Sequence, residues 1–377
     1  MKLNRIIRQD VSRQNRIRKR IKKPKEDVVL KKISGILIIS LFVFSLSALP
    51  AVAASITLTE ISTGFNTPIG IDYYEPTNEV VASVNYPSGQ PNNFELIHDD
   101  GTHTQFSAVS GWTNEVKIAT VRSGNVGGFT TGDLFVGNGV DGQIARITSG
   151  GATIINPFVS LPGAGNGLMR GSLYVDRTGV YGGDLIAVTT GGEVWRVDSA
   201  GNPTKIADVN THLEGVITVP DEIQYGDLAG KIIAGAEQQG RLYIFDDNGL
   251  VDNPLIGVNI EDIDLIPDNE NFFGVNYGTG RILGATPADF ASMVGGILLT
   301  QEFHSGSGLF HLYWDGTSLQ TEQITLTPGS EIPSQWEHVT FAPAGIVEIP
   351  PVPEPSTLLL LGSGLAGLAV VRRKFKV

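Results

Sequence analysis

A unit of about 50 residues recurs between residues 55 and 350, and this repeat limits the fold more than any other feature. Each copy has a glycine, an apolar strand, a turn, a second strand with alternating apolar residues, and a final turn that ends in glycine. A sheet this small cannot bury both of its faces alone, so neighbouring sheets must stack. The copies lie 49, 51, 48 and 67 residues apart, counted between the closing glycines Gly101, Gly150, Gly201, Gly249 and Gly316.

A further apolar run precedes each copy, so every repeat supplies several strands. These runs predict the innermost strands around a central channel. They lie at residues 69–72, 115–118, 171–175, 215–219, 263–266 and 338–341. The sequence therefore predicts an all-β protein with a β-propeller of six blades, with five or seven blades as alternatives. A β-sandwich and a solenoid remain open, although the even spacing of the first copies favours a ring of repeats.

The two ends of the repeat region predict how the ring closes. The strand at residues 337–341 is expected to complete a blade that begins near residues 55–61, because closure removes exposed sheet edges. The long fifth interval holds an extra hairpin-like pair at residues 272–275 and 281–283. The sequence does not assign this pair to a blade.

The N-terminal end has the pattern of a secretory signal peptide. An apolar run at residues 33–49 follows two lysines and is followed by small residues, with Ala51 and Ala53 in an A-x-A arrangement. We therefore predict a signal peptide and its helix at residues 33–54, cleaved after Ala53 or Ala54. A retained membrane helix is the alternative. Residues 1–32 are interpreted as a basic n-region or as a start site placed too far upstream.

The charge distribution separates the ends from the body. Residues 1–32 hold 13 Lys and Arg against 3 Asp and Glu, and the tail from Pro353 holds 4 against 1. Since the whole chain carries −12, the part between them carries −25. A body this acidic repels nucleic acid, so no nucleic-acid partner is expected. The chain has no cysteine, which excludes disulfides, thiol nucleophiles and thiolate metal sites.

The C-terminal end has three parts in a fixed order, which define a separate segment at residues 351–377. Pro353, Glu354 and Pro355 come first, and an apolar stretch at residues 356–371 predicts a transmembrane helix. A basic cluster follows and is expected to stop transfer and to remain cytoplasmic. Its members are Arg372, Arg373, Lys374 and Lys376. The body is then expected on the far side of the inner membrane, which agrees with an N-terminal secretion signal.

This tail resembles the PEP-CTERM sorting signal of Gram-negative bacteria, a motif that is also called an ice-binding protein C-terminal domain. The resemblance implies export through the Sec translocon and a precursor anchored in the inner membrane. It also implies cleavage by an exosortase near Pro353–Glu354–Pro355, followed by release to the cell envelope or the extracellular surface. Proteins of this kind are linked to exopolysaccharide or to other proteins of the biofilm matrix. An ordinary tail anchor with a proline spacer is the alternative.

The repeat units are similar to the blades of NHL and SMP-30-like propellers, the gluconolactonase type. In the lactonases the resemblance implies a divalent cation that activates water for ester hydrolysis. Carboxylates at the starts of the predicted inner strands would converge near the channel mouth, and oxygen ligands suit a hard cation. The predicted metal residues are Glu115, Glu214 and Glu337, with Ca²⁺ as the one cofactor considered and no cofactor as the alternative. The ligand motif of the lactonases is not matched residue by residue.

The sequence contains no strong catalytic motif. It has no G-x-S-x-G, no H-E-x-x-H and no phosphate-binding loop, so no catalytic residue is assigned. The Asp246–Asp247–Asn248–Gly249 stretch is interpreted as a turn, because the rest of a calcium-binding loop is missing. We therefore expect a secreted protein of the cell surface or biofilm matrix whose propeller is a non-enzymatic binding or structural module. A metal-dependent hydrolase of the lactonase type is the alternative.

Overall fold

The computed structural model describes residues 55–163, 172–303 and 306–349. The predicted signal peptide with its cleavage residues Ala51, Ala53 and Ala54 lies outside the described residues, as does the tail at residues 351–377. Both therefore remain predictions. In the part of the chain that is described, no helix has the length and apolar character needed to cross a membrane.

Two short strands open the described chain and four sheets follow, each built from one continuous piece. The opening strands are β1 (Ser55–Ile56) and β2 (Thr59–Thr63). Each of the next four sheets has four antiparallel strands that pair in chain order, and we call them blades 1 to 4. Blade 1 is β3 (Ile71–Tyr74), β4 (Glu79–Ser83), β5 (Phe94–Ile97) and β6 (His103–Gln105); blade 2 is β7 (Ile118–Thr120), β8 (Leu134–Gly137), β9 (Gln143–Ile147) and β10 (Ile154–Ser160); blade 3 is β11 (Ser172–Val175), β12 (Leu185–Val188), β13 (Glu193–Val197) and β14 (Pro203–Asp208); blade 4 is β15 (Glu214–Thr218), β16 (Ile232–Ala236), β17 (Arg241–Asp246) and β18 (Gly249–Asp252).

Blades 5 and 6 are interlocked, because the middle strands of blade 6 are inserted into the chain of blade 5. Blade 5 pairs in the order β19-β22-β23-β24, and blade 6 in the order β26-β20-β21-β2 from the inside outwards. The extra hairpin of the fifth interval is thus the middle of blade 6. These strands are β19 (Asp262–Leu265), β20 (Glu270–Asn276), β21 (Arg281–Ala285), β22 (Ile297–Gln301), β23 (Gly308–Trp314), β24 (Leu319–Gln323), β25 (Thr325–Leu326) and β26 (Trp336–Pro343).

The remaining regular elements are short. Two 3₁₀ helices span Ile223–Leu228 and Tyr277–Thr279, and one α-helical turn, α1, spans Pro287–Phe290. Outside the six blades, β1 pairs in parallel with β25 and ties the start of the described chain to the segment after blade 5. The protein is therefore almost entirely β, as the sequence predicts.

Burial decreases from the channel outwards and explains the sequence pattern of the strands. The second strand of blade 3, β12, is buried at all four positions and reads Leu-Ile-Ala-Val, whereas its outer strand β14 has no buried residue. Five apolar clusters fill the spaces between neighbouring blades, and together they cover every interface of the ring. Stacking of blades is thus what buries the sheet faces.

The structure confirms the six-bladed ring. Each of the six predicted innermost runs overlaps the inner strand of a blade, by a single residue in β7, and each inner strand contacts the next around the ring. The strands near the two ends of the described chain, β2 and β26, lie in one blade as predicted, with β20 and β21 between them. The closing glycines of the five repeat copies all have positive φ, between 79° and 117°, which explains why these turns require glycine.

The interlock of blades 5 and 6 can be tested through Phe272. Its ring lies 5.6–5.8 Å, between centroids, from the rings of Phe290, Trp336 and Phe341, and its side chain is fully buried. Phe272→Ala should lower the free energy of unfolding by about 3–5 kcal/mol, because it opens a cavity where inserted and closing strands meet. Leu255→Ala, at a site with 67% exposure, should change it by less than about 0.5 kcal/mol. Denaturant unfolding of both variants measures this; equal midpoints would contradict the packing described.

Candidate functional site

The inner strands of the blades bring charged residues together at one end of the channel. Lys117 immediately precedes β7, Glu214 begins β15, Glu261 immediately precedes β19, and Glu337 is the second residue of β26. Each of these four side chains is at least nine-tenths buried. We call this end of the channel, where the inner strands start, the acidic end.

Lys117 is the centre of the acidic end. Its Nζ pairs with Glu261 and lies 3.4 Å from Oε2 of Glu337, and its side chain is 0% exposed. Burial by itself would lower the pKa of Lys117, but the carboxylates of Glu261 and Glu337 raise it well above its ordinary value. Lys117 is therefore a permanent ammonium ion inside the channel.

Three glutamates form a group beside Lys117 that has the geometry of a cation site. Glu214, Glu237 and Glu261 each offer a carboxylate oxygen, and these oxygens all lie within 4.8 Å of one another. Burial and the negative charge of Glu261 raise the pKa of Glu214 well above its ordinary value and that of Glu237 to about 7. Since one ammonium faces several carboxylates, the excess negative charge must be balanced by protons or by a bound cation.

The donor set suits a hard divalent cation. Glu214 and Glu237 come from blade 4 and Glu261 from the start of blade 5, so the group bridges two blades. Ca²⁺ takes six to eight oxygen ligands in flexible geometry, and carboxylates are prominent among them. Lys117 contacts the same Glu261 and competes with a divalent cation for its charge. The residues present therefore fit Ca²⁺ in donor type, with the ammonium as a built-in competitor.

The three metal residues predicted from the sequence are found at this end in different positions. Glu214 belongs to the three-glutamate group, whereas Glu337 faces Lys117. Glu115 is half-buried near them, and its charge contributes to the raised pKa of both Glu237 and Glu337. The assignment of Glu115, Glu214 and Glu337 as metal residues stays a proposal.

Sequence reasoning missed Lys117, Glu237 and Glu261. Lys117 carried a usable signal, because a lysine between the buried Val116 and Ile118 on an inner strand has to meet a carboxylate. Glu261 directly precedes an inner strand, so the argument from carboxylates at the starts of the inner strands could have predicted it. Glu237 follows β16 in a loop, and only the ring geometry brings it to the channel.

Deeper in the channel, His338 is held as a neutral side chain. Its Nδ1 accepts a hydrogen bond of 3.1 Å from the Ile71 backbone N–H, and its Nε2 lies 3.5 Å from Oδ2 of Asp262. Burial and the nearby ammonium of Lys117 lower the pKa of His338 to about 3. Asp262 also accepts a hydrogen bond from the Val339 N–H. These contacts assign His338 to packing between the inner strands of blades 5, 6 and 1.

Comparison with protein families identifies one segment. The model of the PEP-CTERM protein-sorting motif matches residues 351–374, so the chain carries this motif. The motif implies export, a membrane-anchored precursor and processing by an exosortase. No curated protein matches the chain.

Solved structures with similar architecture include several propellers. A gluconolactonase from Xanthomonas campestris shares 16% identity over 78% of this chain and 85% of its own, with a TM-score of 0.46. A catalytically inactive virginiamycin B lyase from Staphylococcus aureus shares 14% over 78% and 97%, with a TM-score of 0.44. The WD40 propeller domain of Doa1 shares 12% over 73% and 88%, with a TM-score of 0.39. The six-bladed fold of this chain follows from its own strand pairing, and a propeller by itself identifies no reaction.

The raised pKa of Glu237 makes stability at the acidic end depend on pH. The pKa of about 7 in the folded state exceeds the ordinary value of about 4.3. The folded protein therefore loses stability as the pH rises through this window and Glu237 must ionise. Glu237→Gln removes that cost, so the variant should be more stable than the unsubstituted protein at pH 8 by about 3–4 kcal/mol and about equally stable near pH 4.

Denaturant unfolding in the presence of a chelator, at both pH values, measures the difference. Glu222→Gln, at an exposed position, is the control and should show no such pH dependence. A Glu237→Gln effect of the same size at pH 4 and pH 8 would contradict the assignment.

Proposed function

We propose that this chain is an exported protein that an exosortase delivers to the cell envelope or the biofilm matrix, and that its propeller is a non-enzymatic binding or structural module. The match to the PEP-CTERM protein-sorting motif at residues 351–374 is the observation that carries this proposal. The sorting motif would direct export of the chain, and the propeller would be the exported domain.

The two ends of the chain support the same route. The proposed signal peptide at residues 33–54 directs the body out of the cytoplasm, and the basic residues Arg372, Arg373 and Lys374 would hold the C-terminus inside. In this arrangement the Sec translocon moves the body across the inner membrane, and an exosortase meets Pro353–Glu354–Pro355 on the outer side. The processed protein then joins the polysaccharide or the proteins of the matrix of a Gram-negative bacterium.

The sorting step predicts a simple change in size and location. Replacing Pro353, Glu354 and Pro355 with alanine should abolish processing, because the exosortase loses its recognition residues. The full-length precursor should then accumulate in the membrane fraction. Immunoblots of membrane, envelope and medium fractions measure this.

Two further strains complete the sorting experiment. Glu348→Ala, an acidic position just outside the matched motif, is the control and should be processed normally. A strain without its exosortase gene should reproduce the alanine phenotype. Normal processing of the triple variant would refute the sorting proposal.

A second candidate function, a divalent-metal-dependent hydrolase of the lactonase type, is favoured by the three-glutamate group. Glu214, Glu237 and Glu261 would hold Ca²⁺, with Glu115 and Glu337 in the surrounding acidic end. A bound divalent cation would supply activation of a water molecule and polarisation of an ester carbonyl. Among this chain's residues, Lys117 would keep Glu261 and Glu337 in place, and His338 stays neutral behind them.

Calcium titration separates the two candidates. If Ca²⁺ binds, the melting temperature should rise with its concentration and fall with EDTA, with a stabilisation of about 2.7 kcal/mol at 100 times the dissociation constant. Glu261→Gln should remove this response, and Glu222→Gln should keep it. Lys117→Met should bind Ca²⁺ more tightly, since it removes the competing ammonium.

An unchanged melting temperature with Ca²⁺ and with EDTA would exclude the metal site. If Ca²⁺ binds, hydrolysis of a panel of lactones decides between an enzyme and a binding module. Turnover that is lost in Glu261→Gln would establish the hydrolase, and calcium binding without turnover would favour the binding module.

A further inference from the structure

A cavity lies at the end of the inner strands that is opposite to the acidic end. It has a volume of about 360 Å³, within the range of small-molecule pockets. Its walls are the segments that follow the inner strands of blades 2 and 3, residues 122–126 and 175–179. Arg122 and Arg177 both line this cavity, one from each segment, and we call it the arginine pocket.

The two arginines occupy equivalent positions in neighbouring blades. Arg122 lies two residues after the end of β7, and Arg177 lies two residues after the end of β11. The inner strands of blades 1, 4 and 5 have proline at this position, at Pro76, Pro220 and Pro267. The arginines in blades 2 and 3 are thus a local departure from the repeat.

Asp72 and two tyrosines fix the orientation of both guanidinium groups. Nη2 of Arg122 lies 3.3 Å from Oδ1 of Asp72, and Nη2 of Arg177 lies 3.2 Å from each oxygen of Asp72. The guanidinium carbon of Arg122 lies 5.3 Å from the centre of the Tyr73 ring, and that of Arg177 lies 5.0 Å from the centre of Tyr174. Arginines held in this way lose little entropy when they bind a further ligand.

Two carboxylates at the arginine pocket, Asp72 and Asp176, already accept several hydrogen bonds. Asp72 also accepts hydrogen bonds from Thr120 and Thr340. Asp176, which lines the pocket, accepts from the Thr178 N–H and hydroxyl, the Thr218 hydroxyl, and the N–H groups of Tyr181 and Gly183. These two carboxylates therefore have little capacity left to receive a hydrogen bond from a ligand.

The donors of the arginines are not used to the same extent. Among the described residues, Arg177 donates hydrogen bonds only from Nη2. The hydrogens on its Nε and Nη1 are therefore available to a ligand. Nε of Arg122 is buried and has no hydrogen-bond partner in the described part of the chain, while its Nη1 lies 3.5 Å from Oε2 of Glu270. Because the pocket offers guanidinium N–H donors while its two aspartates already accept hydrogen bonds, it favours a ligand rich in hydrogen-bond acceptors.

We propose that the arginine pocket binds the carboxylate of a uronic acid residue, with Arg177 as the principal donor and Arg122 beside it. A carboxylate matches the guanidinium fork with two parallel hydrogen bonds, and neighbouring sugar hydroxyls have Ser123 and the exposed loop around Gly124 as partners. The polysaccharide source of the uronic acid rests on the proposed matrix function. Binding of the carboxylate itself does not.

Isothermal titration of the full chain with a digalacturonate, at low and at physiological salt, tests this proposal. The neutral disaccharide with the same linkage is the matched ligand control. Digalacturonate should bind with an affinity that falls as salt rises, and the neutral disaccharide should bind at least about 10-fold more weakly, since one lost charge-assisted pair is worth about 1.4 kcal/mol or more. Equal binding of both sugars, or binding of neither, would overturn the proposal.

Variants then locate the site on the molecule. Arg177→Gln should weaken digalacturonate binding about 10-fold or more, and Arg177→Lys should retain part of it because the charge remains without the fork. Arg196→Gln is the matched control, since Arg196 also pairs with an aspartate, Asp184, and lies 5.9 Å from the ring centre of Tyr181, outside the arginine pocket. Melting curves establish that each variant is folded. If Arg177→Gln does not fold, Arg177→Lys decides.

Equal affinities of the unsubstituted protein and the folded Arg177 variants would overturn the assignment. This experiment is independent of sorting, because it uses purified protein. Failure of uronate binding therefore leaves the exosortase proposal untouched, and failure of sorting leaves the pocket untouched.

Discussion

Every part of this structure depends on the inability of a four-stranded sheet to bury two faces alone. Each blade hides its apolar faces only against its neighbours, and the five apolar clusters between blades form a continuous ring. A ring of this kind must close, and here it closes in two ways. Strand β2, near the start of the described chain, completes blade 6, and the hairpin of β20 and β21 is drawn from the chain of blade 5 into the same blade. Opening the ring at this point would therefore disturb two blades.

The sequence predicts the ring well because each blade carries its own local evidence. Alternating apolar residues, turns that need a positive φ, and even spacing recur in every copy, so an error in one copy is corrected by the others. The order of blades 5 and 6 was less accessible. The pair at residues 272–275 and 281–283 looks like any hairpin, and its blade is decided by long-range packing of Phe272 against Trp336 and Phe341. A local pattern contains no information about such a partner.

The sequence indicated the end of the channel at which the candidate site lies, but not all of the residues that form it. The starts of the inner strands could be recognised from the sequence, and Glu214 and Glu337 lie at that end of the channel, while their assignment as metal residues stays a prediction. Glu237 comes from a loop after β16, and its approach to Glu214 and Glu261 depends on the curvature of the ring. Lys117 shows the limit of sequence-based prediction more clearly, because it neutralises two glutamates, Glu261 and Glu337, that lie 144 and 220 positions further along the chain. Hydrophobic periodicity predicts which residues are buried, but not which buried charges meet.

Burial of charge also explains why the two ends of the channel differ chemically. Along the axis, carboxylates outnumber the cations at one end, where Lys117 is enclosed and the excess charge requires protons or a cation. At the other end Asp72 is enclosed by Arg122, Arg177 and hydroxyl groups, and Nε of Arg122 has no hydrogen-bond partner in the described part of the chain. Between them, His338 stays neutral and accepts a hydrogen bond from the Ile71 N–H. The acidic end thus groups carboxylates that suit a cation, and the arginine pocket offers guanidinium donors that suit an anion, so the two ends have to be examined as separate sites.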